Sequence, residues 1–238
     1  MATDAEKWVE SCSTCAVNGK PEKPTPMLRA FAPKAVWEAI AVDFNGPYAR
    51  FGGVYILVVV DCRSRYLFAV PVKSTSLERT RDVLEAIFQR EGFPKYIKSD
   101  NGPPFNSAEY KAYCAQRGIK PIFSTPLFPQ QNGLAESQMK VVNRGMISAS
   151  INGTGYAEEL QKAVDAHNAA YHSVTKLPPE EVFSGRKIRR RLPLVEFEKV
   201  DIDEDLLDER DRTAKLQGKA REDRRRSARE CRVKPGDT

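Results

Sequence analysis

This 238-residue sequence lacks any long apolar run: the longest, Val54 to Val60, stops at Asp61, well short of the roughly 18–20 residues that span a bilayer. Its first residues, with Asp4, Glu6 and Lys7, hold no secretory apolar segment, so an intracellular setting without a membrane partner is expected. Cysteine is sparse, with five at scattered positions; an odd and irregular set argues against a disulfide framework and for reduced thiols. There is no glycine-rich loop ending in Lys-Ser or Lys-Thr, and so no phosphate cradle for a nucleotide cofactor. No internal repeat is visible.

What is present is enough apolar content, 41%, for one sizeable folded domain with smaller appendages. The net charge of +6 favours an anionic partner. Its distribution is more informative than its sum. Arg186, Lys187, Arg189, Arg190 and Arg191 form one basic cluster, and Arg221, Arg224, Arg225, Arg226, Arg229 and Arg232 form another. Between them, residues 201–211 are strongly acidic, so the tail alternates in sign along what reads as a long exposed helix. Nucleic acid is one partner that suits the basic blocks; a solvated helix face is the other reading.

From Val36 onward the pattern is that of an alternating sheet and helix domain. Trp37–Phe44, Val54–Val60 and Tyr66–Val72 read as three strands rich in β-branched and aromatic residues, with connections short enough for an antiparallel meander. Thr75 with Glu78 suggests a capping box, opening a helix with Leu77, Val83, Leu84, Ile87 and Phe88 on one face and Gly92 at its end. Tyr96–Ser99 is then a fourth strand. Asn106 with Glu109 suggests a second capped helix, and residues 119–123 a fifth strand. A long helix is expected from about Leu134, with Val141, Val142 and Met146 as core candidates, and shorter ones over about 156–171 and 178–183.

Three acidic residues stand at the ends of these elements: Asp43 on the first strand, Asp100 just after the fourth, and Glu136 at the start of the long helix, with 35 residues between the last two. Such placements can bring three carboxylates to one edge of a sheet, where their repulsion would be severe without divalent cations between them. A two-metal phosphoryl-transfer site is the sharper reading. Separately solvated acids are the plainer reading for any one of them.

The segments around these acids decide between the two. Asp-Phe-Asn-Gly-Pro from Asp43, Ser-Asp-Asn-Gly-Pro-Pro-Phe from Ser99, and Ser-Thr-Pro-Leu-Phe-Pro-Gln-Gln-Asn-Gly-Leu-Ala-Glu from Ser124 resemble, in that order, the catalytic core of retroviral and gypsy-type retrotransposon integrases. The resemblance implies an α/β, ribonuclease H-like fold: a five-stranded mixed sheet flanked by helices, with a helical basic tail. It implies that Asp43, Asp100 and Glu136 hold two Mg²⁺ (or Mn²⁺) ions, which suit hard carboxylate oxygens. The implied reaction trims the 3′ ends of retroelement DNA and joins them to target DNA by a homodimer or homotetramer acting in the nucleus.

Further site residues come from the same resemblance. Cys12 and Cys15 look like the second half of a His-His-Cys-Cys zinc domain, which would hold Zn²⁺ only when complete, since two thiolates cannot close a tetrahedral site. Lys140 and Arg144 fall one and two turns after Glu136; pairing with that acid is the plainer reading, and contact with DNA phosphates is the one taken here. Arg186, Lys187, Arg189, Arg190 and Arg191 are expected to serve DNA binding. Gln130 and Gln131 sit in a loop expected to be mobile, and His172, opening His-Ser-Val-Thr-Lys-Leu-Pro-Pro, is expected to be structural. The pattern departs from the family at Leu127, Phe128, Ser137, Lys176 and Ser184.

The expected organisation is residues 1–33 as the end of the zinc domain and a linker, 34–186 as the catalytic core, and 187–238 as a charged helical linker. The last residues, from Val233, resemble the opening of a small SH3-like or chromodomain module. Two rival functions remain at this stage: a host-recruited, non-catalytic integrase relic that binds DNA or protein, and a ribonuclease H-type nuclease that only cuts. The intact triad weighs against the first, and the Cys pair with the basic tail against the second.

Overall fold

A computed structural model describes residue 12 and residues 33–124, 133–188 and 202–225. They divide between two units: the described residues within 30–212, and Cys12 with residues 213–225. In the larger unit the elements run β1 (Ala39–Tyr48), a 3₁₀ turn (Ala49–Phe51), β2 (Val54–Asp61), β3 (Leu67–Val72), α1 (Leu77–Glu91), β4 (Tyr96–Ser99), α2 (Ala108–Gln116), β5 (Lys120–Phe123), α3 (Gly133–Asn152), α4 (Tyr156–Ala169) and α5 (Pro179–Ser184). The first half of α6 (Glu204–Arg225) also belongs to it. The second half of α6 and Cys12, a half-exposed residue, are the described parts of the other unit.

The five strands are ordered β3-β2-β1-β4-β5, antiparallel from β3 to β1 and parallel from β1 to β5. Strand β2 is apolar from Val54 to Val60, as suits a strand covered on both faces. Val54, Ile56, Val58 and Val60 of β2 pack with Val142, Met146, Leu160 and Val164 of α3 and α4. Leu57 and Val59, pointing the other way, join Ile40 and Val42 of β1 against Leu84, Ile87 and Phe88 of α1 and Tyr110, Tyr113 and Cys114 of α2. Gly145 lets α3 and α4 approach closely: a Cβ there would lie 2.9 Å from Leu160 Cα and 3.1 Å from the Glu159 carbonyl oxygen.

Several boundaries differ from the sequence expectations. β1 starts at Ala39, because Trp37 adopts φ 63° and its ring packs edge-on against Phe68, Phe88 and Phe183. It also runs on through Gly46 and Pro47, expected as a turn, to Tyr48. Neither capping box forms. Ser76 and Ser107 are the caps, accepting from the backbone N–H of Arg79 and Tyr110, so Glu78 and Glu109 fall one place short of the reciprocal position.

The acidic stretch opens a long and mostly exposed helix as expected, but the first turns of that helix are held on the β2–β3 turn. Arg63 and Arg65 in the β2–β3 turn are both buried. Arg63 pairs with Glu204 and Asp208, and Arg65 with Asp211, while Arg210 donates to the Thr175 carbonyl and Leu207 is buried. Burial works against the charge of Arg63, but the two carboxylates outweigh it and hold its pKa above the ordinary value.

Candidate active site

β1 and β4 lie side by side with Ala39 beside Tyr96, Ile40 beside Ile97 and Ala41 beside Lys98. Carried two residues further, that register sets Asp43 level with Asp100, the first residue past the end of β4. Asp43, midway along β1, and Asp100, just past β4, each stand two residues beyond the last pair of that register. Asp43 is half-buried and Asp100 exposed.

Side-chain alternation puts Asp43 on the same face as Ala39 and Ala41. These two alanines pack with Ala135 of α3, whose small side chains bring the start of α3 close to β1. Position 136 follows Ala135 directly. The side chain of Glu136 lies outside the described residues, as do Cys15, Gln130, Gln131, Arg189, Arg190 and Arg191. Among the described residues no group of three or more His, Cys, Asp or Glu side chains could hold a metal ion.

The two aspartates are fixed locally in ways their motifs did not announce. Asp43 Oδ1 accepts from the Phe44 N–H at 2.7 Å. The Asp100 carboxylate lies over Gly102, where a Cβ would sit 2.9 Å from Oδ2, so a side chain at 102 would displace it. Phe44 and Phe105 stack with ring centroids 5.5 Å apart, and Phe105 also meets Tyr110 edge-on at 5.4 Å. The residue after the first acid thus anchors the loop that follows the second. Both phenylalanines are visible in the sequence motifs; their contact is not, because it crosses between segments.

Of the expected basic residues, Lys140 and Arg144 are exposed on α3, Arg186 is exposed past α5, and Lys187 is half-buried. His172 accepts at Nδ1 from the Val174 N–H and its backbone is bonded to Leu177 and Lys176. Burial, reinforced by the Arg65 guanidinium, pushes its pKa down to about 4, so the ring is neutral near pH 7.

Residues 32–129 match the Integrase core domain family. This chain carries an integrase core domain. An uncharacterized protein of Caenorhabditis elegans is 32% identical over 82% of this chain and 15% of its own length. The Pro-Pol polyprotein of simian foamy virus type 3 is 28% identical over 78% of this chain and 16% of the polyprotein. The chain thus spans about a sixth of these relatives. Among solved structures, a simian T-cell lymphotropic virus intasome in complex with PP2A regulatory subunit B56 gamma matches with a TM-score of 0.64 at 20% identity, over 84% of this chain and 71% of that one. The HTLV-2 integrase catalytic core domain in complex with magnesium, in a trimeric form, matches with a TM-score of 0.53 at 18% identity, over 65% of this chain and 99% of that one. At such identities the likeness is one of fold, and the fold is the ribonuclease H-like integrase core.

Proposed function

We propose that this integrase core is a Mg²⁺-dependent polynucleotidyl transferase that trims the 3′ ends of a retroelement's DNA and joins them to target DNA. The observation that supports the reading is the parallel pairing of β1 with β4 up to Ala41 and Lys98, two residues before Asp43 and Asp100, with the start of α3 packed on Ala39 and Ala41. The donor set fits the metal: carboxylate oxygens are hard ligands, and the space over Gly102 accommodates the Asp100 carboxylate. Asp43, Asp100 and Glu136 would hold it. Magnesium ions, when bound, supply the Lewis acidity that activates an attacking hydroxyl and steadies the leaving oxygen.

The chain's own residues bind and orient the DNA. Exposed Lys140 and Arg144 stand one turn apart on α3, beyond position 136, where they would grip phosphates of the DNA end without reading sequence. The basic residues from Arg186 to Arg191 would add charge, making affinity fall with salt. Joining one phosphodiester to another requires no nucleotide cofactor. Concerted joining of two ends requires at least a dimer, and the intasome and trimeric core among the matched structures support assembly. A chromosomal target would put this work in the nucleus.

The test supplies a plasmid and a 3′-recessed duplex carrying the element's terminal sequence, with Mg²⁺. Joined product is expected from the wild type, and a loss of at least about 10³-fold from Asp43→Asn, Asp100→Asn or Glu136→Gln, since ligands of one metal site act as a unit. Undiminished joining by any of the three would overturn the reading. A wild type that binds DNA but never joins it would favour a non-catalytic, DNA-binding derivative.

A further inference from the structure

The end of β1 is irregular in a way that serves α3. Asn45 pairs with Ile56 and Tyr48 with Val54, so three steps along β1 match two along β2, the count of a β-bulge. Gly46 permits it: its φ is +125°, and a Cβ there would lie 2.9 Å from the Val54 carbonyl oxygen. Bulges re-aim side chains, and this one turns two donors toward a single acceptor. Asn143 Oδ1 on α3 accepts from Asn45 Nδ2 at 3.0 Å and from the Tyr48 hydroxyl at 2.6 Å.

The positions of these residues are what give the contact meaning. Asn45 is two residues beyond Asp43 on one strand, so both belong to the same face. Asn143 is seven residues beyond position 136, which falls about 20° short of two full helical turns, so these two also share a face of α3. The pair Asn45–Asn143 therefore forms a second rung beside the one that positions 43 and 136 would make through a metal. Apolar packing is non-directional, whereas a side chain accepting two hydrogen bonds from the neighbouring strand adds a directional restraint on where the helix sits.

We propose that Asn143 is a positioning residue: with Asn45 and Tyr48 it locks α3 against β1 and so sets the separation of positions 43 and 136. This rests on the metal-site reading above. It departs from the simpler role for a polar residue between Lys140 and Arg144, which is to touch DNA directly.

Mn²⁺ binding to the full chain, followed by electron paramagnetic resonance without DNA, tests the proposal apart from catalysis. Wild type is expected to bind Mn²⁺, and Asp100→Asn to lose it. Asn143→Leu, with the same branching but no acceptor, should weaken binding about tenfold or more, as loss of a residue that orients metal ligands does. Its melting temperature should stay near wild type because the bonds lie at the surface. Tyr48→Phe, which keeps the Asn45 bond, should fall between, and Asn143→Asp, which keeps the acceptor, should bind at least as well as wild type. The Mg²⁺ requirement for plasmid nicking should rise in the same order. Wild-type Mn²⁺ affinity in Asn143→Leu overturns the proposal; if plasmid affinity in EDTA falls instead, the residue is a DNA contact. A wild type indifferent to Asp100→Asn overturns the metal site itself, and the positioning role with it.

Discussion

Arg65 in the β2–β3 turn and Asp211 on α6, 146 positions apart, form an ion pair whose side chains are 8% and 16% exposed. Breaking such a pair strands a buried charge, which costs far more than losing a surface pair. Arg65→Gln is expected to lower stability by about 3 kcal/mol. Asp211→Asn should do less, because the Arg65 guanidinium also donates to the Cys62 carbonyl oxygen. Urea unfolding measures both, and midpoints equal to wild type would show that α6 is not held this way.

Acid should weaken the fold partly through His172. Its pKa is pushed down to about 4 by burial and then by Arg65, so on acidification the unfolded chain, with an ordinary value near 6.5, takes up the proton first. The unfolded state therefore binds more protons in this window, and stability falls as pH drops from about 6.5 to about 4. His167, also lowered by burial, adds to the effect, while Asp61, raised by burial, opposes it. Between about pH 7 and about pH 5, His172→Gln should lose less stability than wild type. Parallel pH profiles of the two proteins would refute this.

Gly145→Ala tests the close approach of α3 and α4. The new methyl would meet Leu160 Cα at 2.9 Å and the Glu159 carbonyl oxygen at 3.1 Å, both backbone, so a helix must shift. Thermal melting should report a loss of about 1–3 kcal/mol. No change would mean that the helices separate freely.

Gly102→Ala separates site from fold. The nearest atoms to its Cβ would be those of the Asp100 carboxylate, with Oδ2 at 2.9 Å, and that side chain can rotate away. Melting should be unaffected, while DNA joining and Mn²⁺ affinity drop by about tenfold or more, as when a ligand's orientation is lost. Full activity would show that the orientation of Asp100 over Gly102 is unimportant.

The order of strands and helices and the family motifs were legible in the sequence, because apolar periodicity and the residues flanking Asp43 and Asp100 are local signals. α3 was placed within a residue of its start, and Val142 and Met146 are buried as their spacing predicts. The sequence signal for the helix caps falls one residue early, since Thr75-Ser76 and Asn106-Ser107 each offer two candidate caps in succession and only backbone geometry selects the second.

The sequence by itself determined which residues could be buried and which carried charge. Tertiary structure alone decided which of them meet. Nothing local distinguishes Arg63 and Arg65, buried against α6, from the exposed Arg186, because burial of a cation is tolerated only when distant carboxylates arrive to pair with it. In the same way Asn45, Tyr48 and Asn143 are unremarkable polar residues until a one-residue bulge and a helix packed across the sheet bring their atoms within hydrogen-bonding distance. Periodicity is set by neighbours along the chain; these contacts are set by strand register and helix placement, which depend on every layer of the core at once.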